Sequence, residues 1–219
     1  MKPYYDQDGI TIYCGDCREI DDLSCDVLCT DPPYGISYSS AWRTKHQRSA
    51  EIVGDSGLAA YEMDALPAWA RCALVFCRWD KLIAASVRMG QPNSLVVWDK
   101  VIHGMADPTT CFAPRHELVL FYRGADFKFD GKRPADVVQI PRVPPERLVH
   151  PCEKPLDLLK WLIGAVGGST VCDPYMGSGT TLLAAKQLGR KAIGIEIEEK
   201  YCEIAAKRLS QQVLFGADP

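Results

Sequence analysis

Along this chain, short unbroken apolar runs alternate with stretches whose apolar residues recur every three to four positions, the pattern of buried strands separated by amphipathic helices. Residues 11 to 16, Cys25 to Thr30, Ala73 to Phe76, Ser94 to Trp98, Glu117 to Tyr122, Ser169 to Asp173 and Lys191 to Glu196 read as strands. Helical spacing covers 58 to 72, with a start or kink near Pro67, and Lys81 to Met89, closed by Gly90. It resumes at Pro155, with Leu156, Leu159, Leu162, Ile163 and Val166 on one face and Gly167-Gly168 as a stop, then over Leu182 to Leu188 and Glu198 to Leu209. Strand and helix in alternation predict an α/β fold with a mostly parallel sheet. Trp98 and Phe121 fall at core positions of this pattern.

Two segments break the alternation. Ile36 to Gly57 is polar, carries Trp42, Arg43, Lys45, His46 and Arg48, and has no acid until Glu51. It reads as a long loop, either a phosphate-holding cationic segment or a solvated lid. Gly124 to Leu148 carries Lys128, Lys132, Arg133, Arg142 and Arg147 with Pro141, Pro144 and Pro145, and only a weak strand run at Val137 to Ile140. It reads as a small excursion at about 124–148 from a single domain spanning 1–219, and Gln211 to Pro219 as a loosely held tail.

Bulk properties narrow the class. A chain of 219 residues, 47% hydrophobic and 24% charged, has the size and composition of one globular domain rather than a disordered or fibrous protein. No apolar run approaches the roughly 20 residues of a membrane span, and Met1 to Asp8 lacks the apolar segment of a signal peptide, so a cytoplasmic protein without membrane contact is expected. Ten cysteines are scattered rather than framed, which predicts reduced, buried thiols. Cys14 and Cys17 have CxxC spacing without a second pair, so no metal is expected. A net charge of −3 excludes a protein coated in positive charge but leaves room for a local basic face.

The candidate chemistry lies in two stretches. In Cys29-Thr30-Asp31-Pro32-Pro33-Tyr34-Gly35, a buried strand ends in a loop whose two prolines remove backbone donors and leave carbonyls exposed beside a carboxylate and an aromatic ring. Such an acceptor-rich cleft suits a planar group bearing an –NH2, although Asp-Pro-Pro alone also serves as a turn. In Asp173-Pro174-Tyr175-Met176-Gly177-Ser178-Gly179-Thr180-Thr181, a strand ends at a carboxylate and a glycine turn leads into a helix, then a strand ending at Glu196. This is a nucleotide-type, Rossmann-like βαβ unit. It lacks the lysine of a phosphate-cradling loop, and Leu182 stands where a dinucleotide fingerprint prefers glycine. A carboxylate before the turn repels phosphate and suits a ligand carrying an ammonium and a sulfonium, while Glu196 can accept ribose hydroxyls; S-adenosylmethionine fits. Asp16, at the end of the first strand, is placed either for a ligand or as a helix cap.

Together these stretches resemble the DNA amino-methyltransferases of exocyclic nitrogens, in the permuted (beta) group where the catalytic motif precedes the cofactor motif. Asp31-Pro32-Pro33-Tyr34 is similar to their catalytic motif and Asp173 to Thr181 to their cofactor motif. His150-Pro151-Cys152-Glu153-Lys154-Pro155 is similar to a segment lining the methionine end of the cofactor, with Cys152-Glu153 in place of the usual Thr-Gln. Gly15-Asp16 matches a position near the adenine, followed by Cys17, and Arg115-His116-Glu117 with Phe121 to Gly124 resembles the strand before a target-recognition region, here the short 124–148 insertion.

The resemblance implies a Rossmann-like S-adenosylmethionine-dependent fold with helices on both faces and a circularly permuted motif order. It implies catalytic roles for Asp31, Pro32, Pro33 and Tyr34, and cofactor contacts from Asp16, Cys17, Asp31, His150, Lys154, Pro155, Asp173, Pro174, Tyr175, Gly177, Ser178, Gly179, Thr180, Thr181 and Glu196. Asp31 and the Pro32 carbonyl would accept the two N–H groups of an amine that attacks the methyl directly, with Tyr34 stacking on a base turned out of the duplex. Asp rather than Ser before Pro-Pro favours adenine N6; cytosine N4, an RNA base, a protein amide and an inert nucleic-acid-binding module are the alternatives. Double-stranded DNA is expected across Arg43, Lys45, Arg48, Lys128, Lys132, Arg133 and Arg142, and a homodimer is a further expectation, since one small recognition region reads little sequence by itself.

Overall fold

The computed structural model describes residues 1–20, 23–33, 70–102, 109–148 and 152–211. Among them, nine strands form one sheet: β1 (Tyr5–Gln7), β2 (Ile10–Cys14), β3 (Cys25–Thr30), β4 (Ala70–Cys77), β5 (Ser94–Asp99), β6 (His116–Arg123), β7 (Val137–Gln139), β8 (Thr170–Asp173) and β9 (Lys191–Glu196). Their spatial order is β1-β2-β9-β8-β3-β4-β6-β5-β7. The neighbours β2, β9, β8, β3 and β4 run parallel, and β6 lies antiparallel between β4 and β5. The helices are α1 (Leu82–Met89), α2 (Leu156–Val166), α3 (Thr180–Gln187) and α4 (Glu199–Gln211).

The apolar runs are unbroken because the central strands are covered on both faces. Along β4, Cys72, Leu74 and Phe76 pack into a core shared with α2, α3 and α4, while Ala73, Val75 and Cys77 join the opposite core with Ala85 and Met89 of α1. Trp98 and Phe121 are both buried, as their positions in the pattern predict. Burying side chains such as Leu74 and Leu162 contributes roughly 1.5–3 kcal/mol each, and this favours the layered arrangement over any open one.

The chain's two ends meet. β2, near the N-terminus, enters the sheet beside β9, and α4, near the C-terminus, covers both through Cys202, Ala205 and Leu209 against Ile10 and Ile12. Lys186 Nζ binds Asp8 Oδ2 at 2.9 Å and the Leu209 carbonyl at 3.0 Å, fastening the β1–β2 turn to the end of α4. This is the arrangement that a circular permutation of the strand order requires.

Several elements differ from expectation. β1 was not anticipated; it pairs with β2 through a turn in which Asp8 and Gly9 have φ of 52° and 75°, the positive values a tight hairpin needs. Residues 70 to 72 belong to β4, not to a helix, because pairing with β3 and β6 claims them; 58 to 69 lie outside the described residues. The helix expected from Lys81 is preceded by a 3-10 turn at Trp79–Lys81. Pro155 caps α2 in extended conformation (ψ 135°) rather than standing inside it.

The 124–148 excursion is fastened to the sheet. Gly124 N–H donates to the Arg71 carbonyl at 2.9 Å, Arg71 donates to the Lys128 carbonyl at 3.1 Å, and Phe127 and Phe129 pack edge to face at 5.1 Å in the core. From that lower end of β4 the chain climbs to β7, which extends the sheet beyond β5.

Candidate active site

The parallel strands deliver their acidic residues to one rim. Val27 and Leu28 of β3 pair with Val171 and Cys172 of β8, which brings Asp31 and Asp173 to the same end of adjacent strands. From this pair the connections diverge, β8 leading to β9 on one side and β3 to β4 on the other, so a crevice opens between them, the usual ligand position in an open α/β sheet. Thr30 closes the link by donating from Oγ1 to Asp173 Oδ1 at 2.8 Å.

Asp173 is buried and also accepts from the Tyr175 N–H at 3.1 Å. Burial pushes its carboxyl up to about 6, although the Thr181 and Thr30 hydroxyls and the Tyr175 amide pull the other way and the nearby Asp31 adds to the rise. Glu196 accepts the Gly177 N–H at 3.0 Å on one oxygen and the Glu198 N–H at 2.9 Å on the other, and burial raises its carboxyl as well. Two desolvated carboxylates thus flank the glycine turn, a donor set that fits a cationic ligand and repels phosphate.

The turn itself is tightly held. Gly177 and Gly179 have φ of 51° and 79°, and a Cβ at Gly179 would lie 2.7 Å from the Ala205 Cβ of α4. Met176 N–H donates to the Ile195 carbonyl at 3.0 Å. Ser178, Thr180 and Thr181 are buried, and their hydroxyls are used within the protein: Arg208 of α4 donates to Ser178 Oγ at 3.0 Å and Thr180 Oγ1 at 3.3 Å, and Thr181 bonds Asp173. Arg208 also pairs with Glu153 at 2.9 Å, and Glu153 in turn accepts from Thr180 at 3.3 Å. Arg208 was not expected here; Glu153 belongs to the segment expected near the cofactor, but without this partner. The acid at 153 has its reason in the cation one helix away.

On the neighbouring side of the crevice, Lys154 Nζ donates to Asp31 Oδ2, lies 3.6 Å from Glu117 Oε2 and sits 4.9 Å above the centre of the Phe76 ring. Glu117 is also held by Lys100 at 3.1 Å. Burial opposes the charge on Lys154, but Asp31 and Glu117 more than compensate, so its ammonium is held more firmly than in water. The family resemblance implies a place for Lys154 at the cofactor's methionine end; the structure puts its ammonium on Asp31. Pro32 and Pro33 follow Asp31 at this rim, whereas Tyr34 and His150 lie outside the described residues.

Asp16 caps the 3-10 turn Cys17–Glu19, accepting from Arg18 N–H and Nε, both at 3.0 Å, and the Arg18 side chain holds its carboxyl below the usual range. Gly15 N–H donates to the Glu196 carbonyl at 2.9 Å and the Cys17 thiol is hydrogen-bonded with Tyr175, so this turn adjoins the glycine turn. Pro174 lies between Asp173 and Tyr175 in that turn, and Pro155 opens α2 directly after Lys154. Burial raises the Cys17 thiol. Among the described residues, no cluster of His, Cys, Asp and Glu is arranged to hold a metal ion, and no helix is long and apolar enough to cross a membrane.

The cationic residues separate into groups. Arg142 is exposed and stands two residues after Ile140, whose N–H donates to the Asp99 carbonyl at 3.1 Å at the Asp31 end of the sheet. Lys128 is exposed at the other end, where Arg71 at the start of β4 holds its carbonyl. Lys132 and Arg133, also exposed, stand between them in the sequence. Arg43, Lys45 and Arg48 fall outside the described residues.

A family model described as DNA methylase (N6_N4_Mtase) matches residues 25–207. The type II methyltransferase M.ScaI of Streptomyces caespitosus is 27% identical over 265 residues, covering 96% of this chain and 84% of that protein. M2.LlaDCHI of Lactococcus lactis subsp. cremoris, another type II methyltransferase, is 27% identical over 256 residues, covering 98% and 94%. Among solved structures, the M1.HpyAVI–SAM complex is similar at a TM-score of 0.63 and 25% identity, covering 91% of this chain and 99% of that one. The cytosine-N4-specific PvuII DNA methyltransferase shares the fold at a TM-score of 0.69 and 16% identity, covering 95% and 89%.

Proposed function

The chain belongs to the DNA methylase family, and on that premise we propose that it transfers a methyl group from S-adenosylmethionine to the exocyclic N6 of adenine in double-stranded DNA. The observation that carries this reading is the hydrogen-bonded junction of Asp31 with Asp173 through Thr30, which joins an amine-gripping loop to a cation-accepting crevice. S-adenosylmethionine supplies a methyl group made electrophilic by its sulfonium. Asp173, Glu196 and the Gly177 turn are the groups suited to hold it, with Asp16 and Cys17 at the adjoining turn and Lys154 and Pro155 at the start of α2; His150, outside the described residues, is assigned to the same group by the resemblance of its segment.

An exocyclic amine is a weak nucleophile because its lone pair is delocalised into the ring. The Asp31 carboxylate and the Pro32 carbonyl accept its N–H groups, favour a pyramidal nitrogen and stabilise the positive charge that grows on it. The nitrogen gains a methyl and then sheds one proton, for which Asp31 is the adjacent acceptor. Tyr34 stacks on the base, which must leave the duplex to bring its amine to Asp31. Alignment of amine and methyl provides much of the acceleration, and no covalent bond to the protein is required.

Asp rather than Ser at position 31 supports adenine over cytosine. Unmethylated DNA incubated with methyl-labelled S-adenosylmethionine and digested to nucleosides is expected to carry its label in N6-methyldeoxyadenosine. Label in N4-methyldeoxycytidine would reassign the base, and DNA without label would overturn the reading. The relatives' type II names support a place in a restriction-modification system, where the methyl marks DNA against a paired nuclease.

A further inference from the structure

While Asp31 Oδ2 holds the Lys154 ammonium, an amine gripped by the same carboxylate has that ammonium beside it, and the ammonium opposes the positive charge that grows on the nitrogen. The lysine therefore needs somewhere to go. It is confined by the Phe76 ring beneath it and lies 3.6 Å from Glu117 Oε2, an ion-pair distance too long for a hydrogen bond. That oxygen is sealed from solvent and has no hydrogen-bond partner among the described residues. The other oxygen, Oε1, is fixed by Lys100 at 3.1 Å, and this orients Oε2 towards Lys154. Burial pushes the Glu117 carboxyl up, but Lys154 and Lys100 together outweigh it, so the group stays ionised. Charges therefore alternate from Lys100 through Glu117 and Lys154 to Asp31.

We propose that Glu117 is a positioning residue for methyl transfer: when the target amine takes Asp31, the Lys154 ammonium shifts to the waiting Glu117 Oε2, which holds it off the reacting nitrogen. The proposal rests on the reading of Asp31 as the amine-gripping carboxylate. No bond is made or broken in this step; one charged donor exchanges acceptors. The exchange brings Nζ from 3.6 Å to hydrogen-bond distance, about 2.9 Å, of Glu117 Oε2. Glu117 belongs to β6 and is paired with Lys100 and Lys154, so it reaches Asp31 only through Lys154.

The test is a double-mutant cycle on single-turnover methyl transfer to unmethylated genomic DNA at saturating S-adenosylmethionine. Glu117→Gln keeps the shape and removes the charge. It is expected to slow transfer by about tenfold or more while the KM for S-adenosylmethionine and the melting temperature stay close to wild type. On a Lys154→Met background the same substitution is expected to have no further effect, because no ammonium remains to be held. An unchanged rate in Glu117→Gln, or an equal penalty with and without Lys154, would overturn the proposal. Should Glu117→Gln fail to fold, Glu117→Asp, which keeps the charge on a shorter arm, is expected to transfer faster than Glu117→Ala; equal rates would count against it. Asp31→Ala separates the two readings: transfer surviving that change removes Asp31 from its role, whereas failure of the cycle with Asp31 still required removes only Glu117.

Discussion

Asp173 shows how one residue's setting dictates measurable behaviour. Its carboxyl is raised to about 6 from the ordinary 3.8, chiefly by burial, so the folded, ligand-free protein holds a proton there more tightly than the unfolded chain does. The resulting stabilisation is complete below about pH 4 and is lost as the pH climbs through about 6. A cationic ligand reverses the preference, because it favours the ionised form. Binding of S-adenosylmethionine, followed by calorimetry, should therefore weaken by up to about tenfold per pH unit below about 6. Asp173→Asn should bind weakly throughout with a much flatter pH profile, and an unaltered profile would detach Asp173 from the ligand. Asp31, Asp173 and Glu196 were legible in the sequence because each ends an apolar run, and strand ends are where such sheets place ligands. Glu117 and Arg208 were not. Alternation along β6 gives a face but no partner, and an arginine near the end of α4 reads as a surface cation until the fold sets Ser178 and Glu153 against it.

The glycine turn depends on α4. At Gly179 a side chain meets both a φ of 79° and an approach of 2.7 Å to the Ala205 Cβ, so Gly179→Ala must strain the turn or push α4 away. A loss of about 1–3 kcal/mol is expected in urea unfolding, with weaker cofactor binding. Arg208→Met removes the clamp on Ser178 and Thr180 without touching the crevice carboxylates. It should raise the KM for S-adenosylmethionine several-fold and leave kcat near wild type, which steady-state kinetics can check. Helices and strands with long apolar signals were readable to within a few residues. β1 was missed although Asp8-Gly9 is a hairpin signal, because three polar-flanked residues carry little apolar pattern before pairing rescues them. Residues 70 to 72 fit a helical period, and only the partners β3 and β6 decide for strand.

Across the whole molecule, the sheet separates what the sequence grouped together. The basic residues of 124–148 look like one patch in the chain, yet β6 leaves the catalytic end and β7 returns to it, so Lys128 and Arg142 stand at opposite ends. On the proposed function, the base is delivered at the end of the sheet that carries Asp31, where Arg142 stands and Lys128 does not. Arg142→Ala is expected to weaken DNA binding and lower the slope of log affinity against log salt by about one, while Lys128→Ala leaves both unchanged. Equal effects of the two changes would place the DNA elsewhere. The permuted order was legible from the motif sequence alone, and the contact of β2 with β9 beneath α4 supplies its physical sense: the same layers close with different ends.

The central claim is that Asp31 serves the amine and Asp173 with Glu196 serves the methyl donor, in one crevice. Measuring S-adenosylmethionine affinity and methyl transfer to unmethylated DNA on Asp31→Ala tests it most directly. The account predicts cofactor affinity within a few-fold of wild type and transfer lowered by at least about a hundredfold. Transfer near the wild-type rate would contradict it.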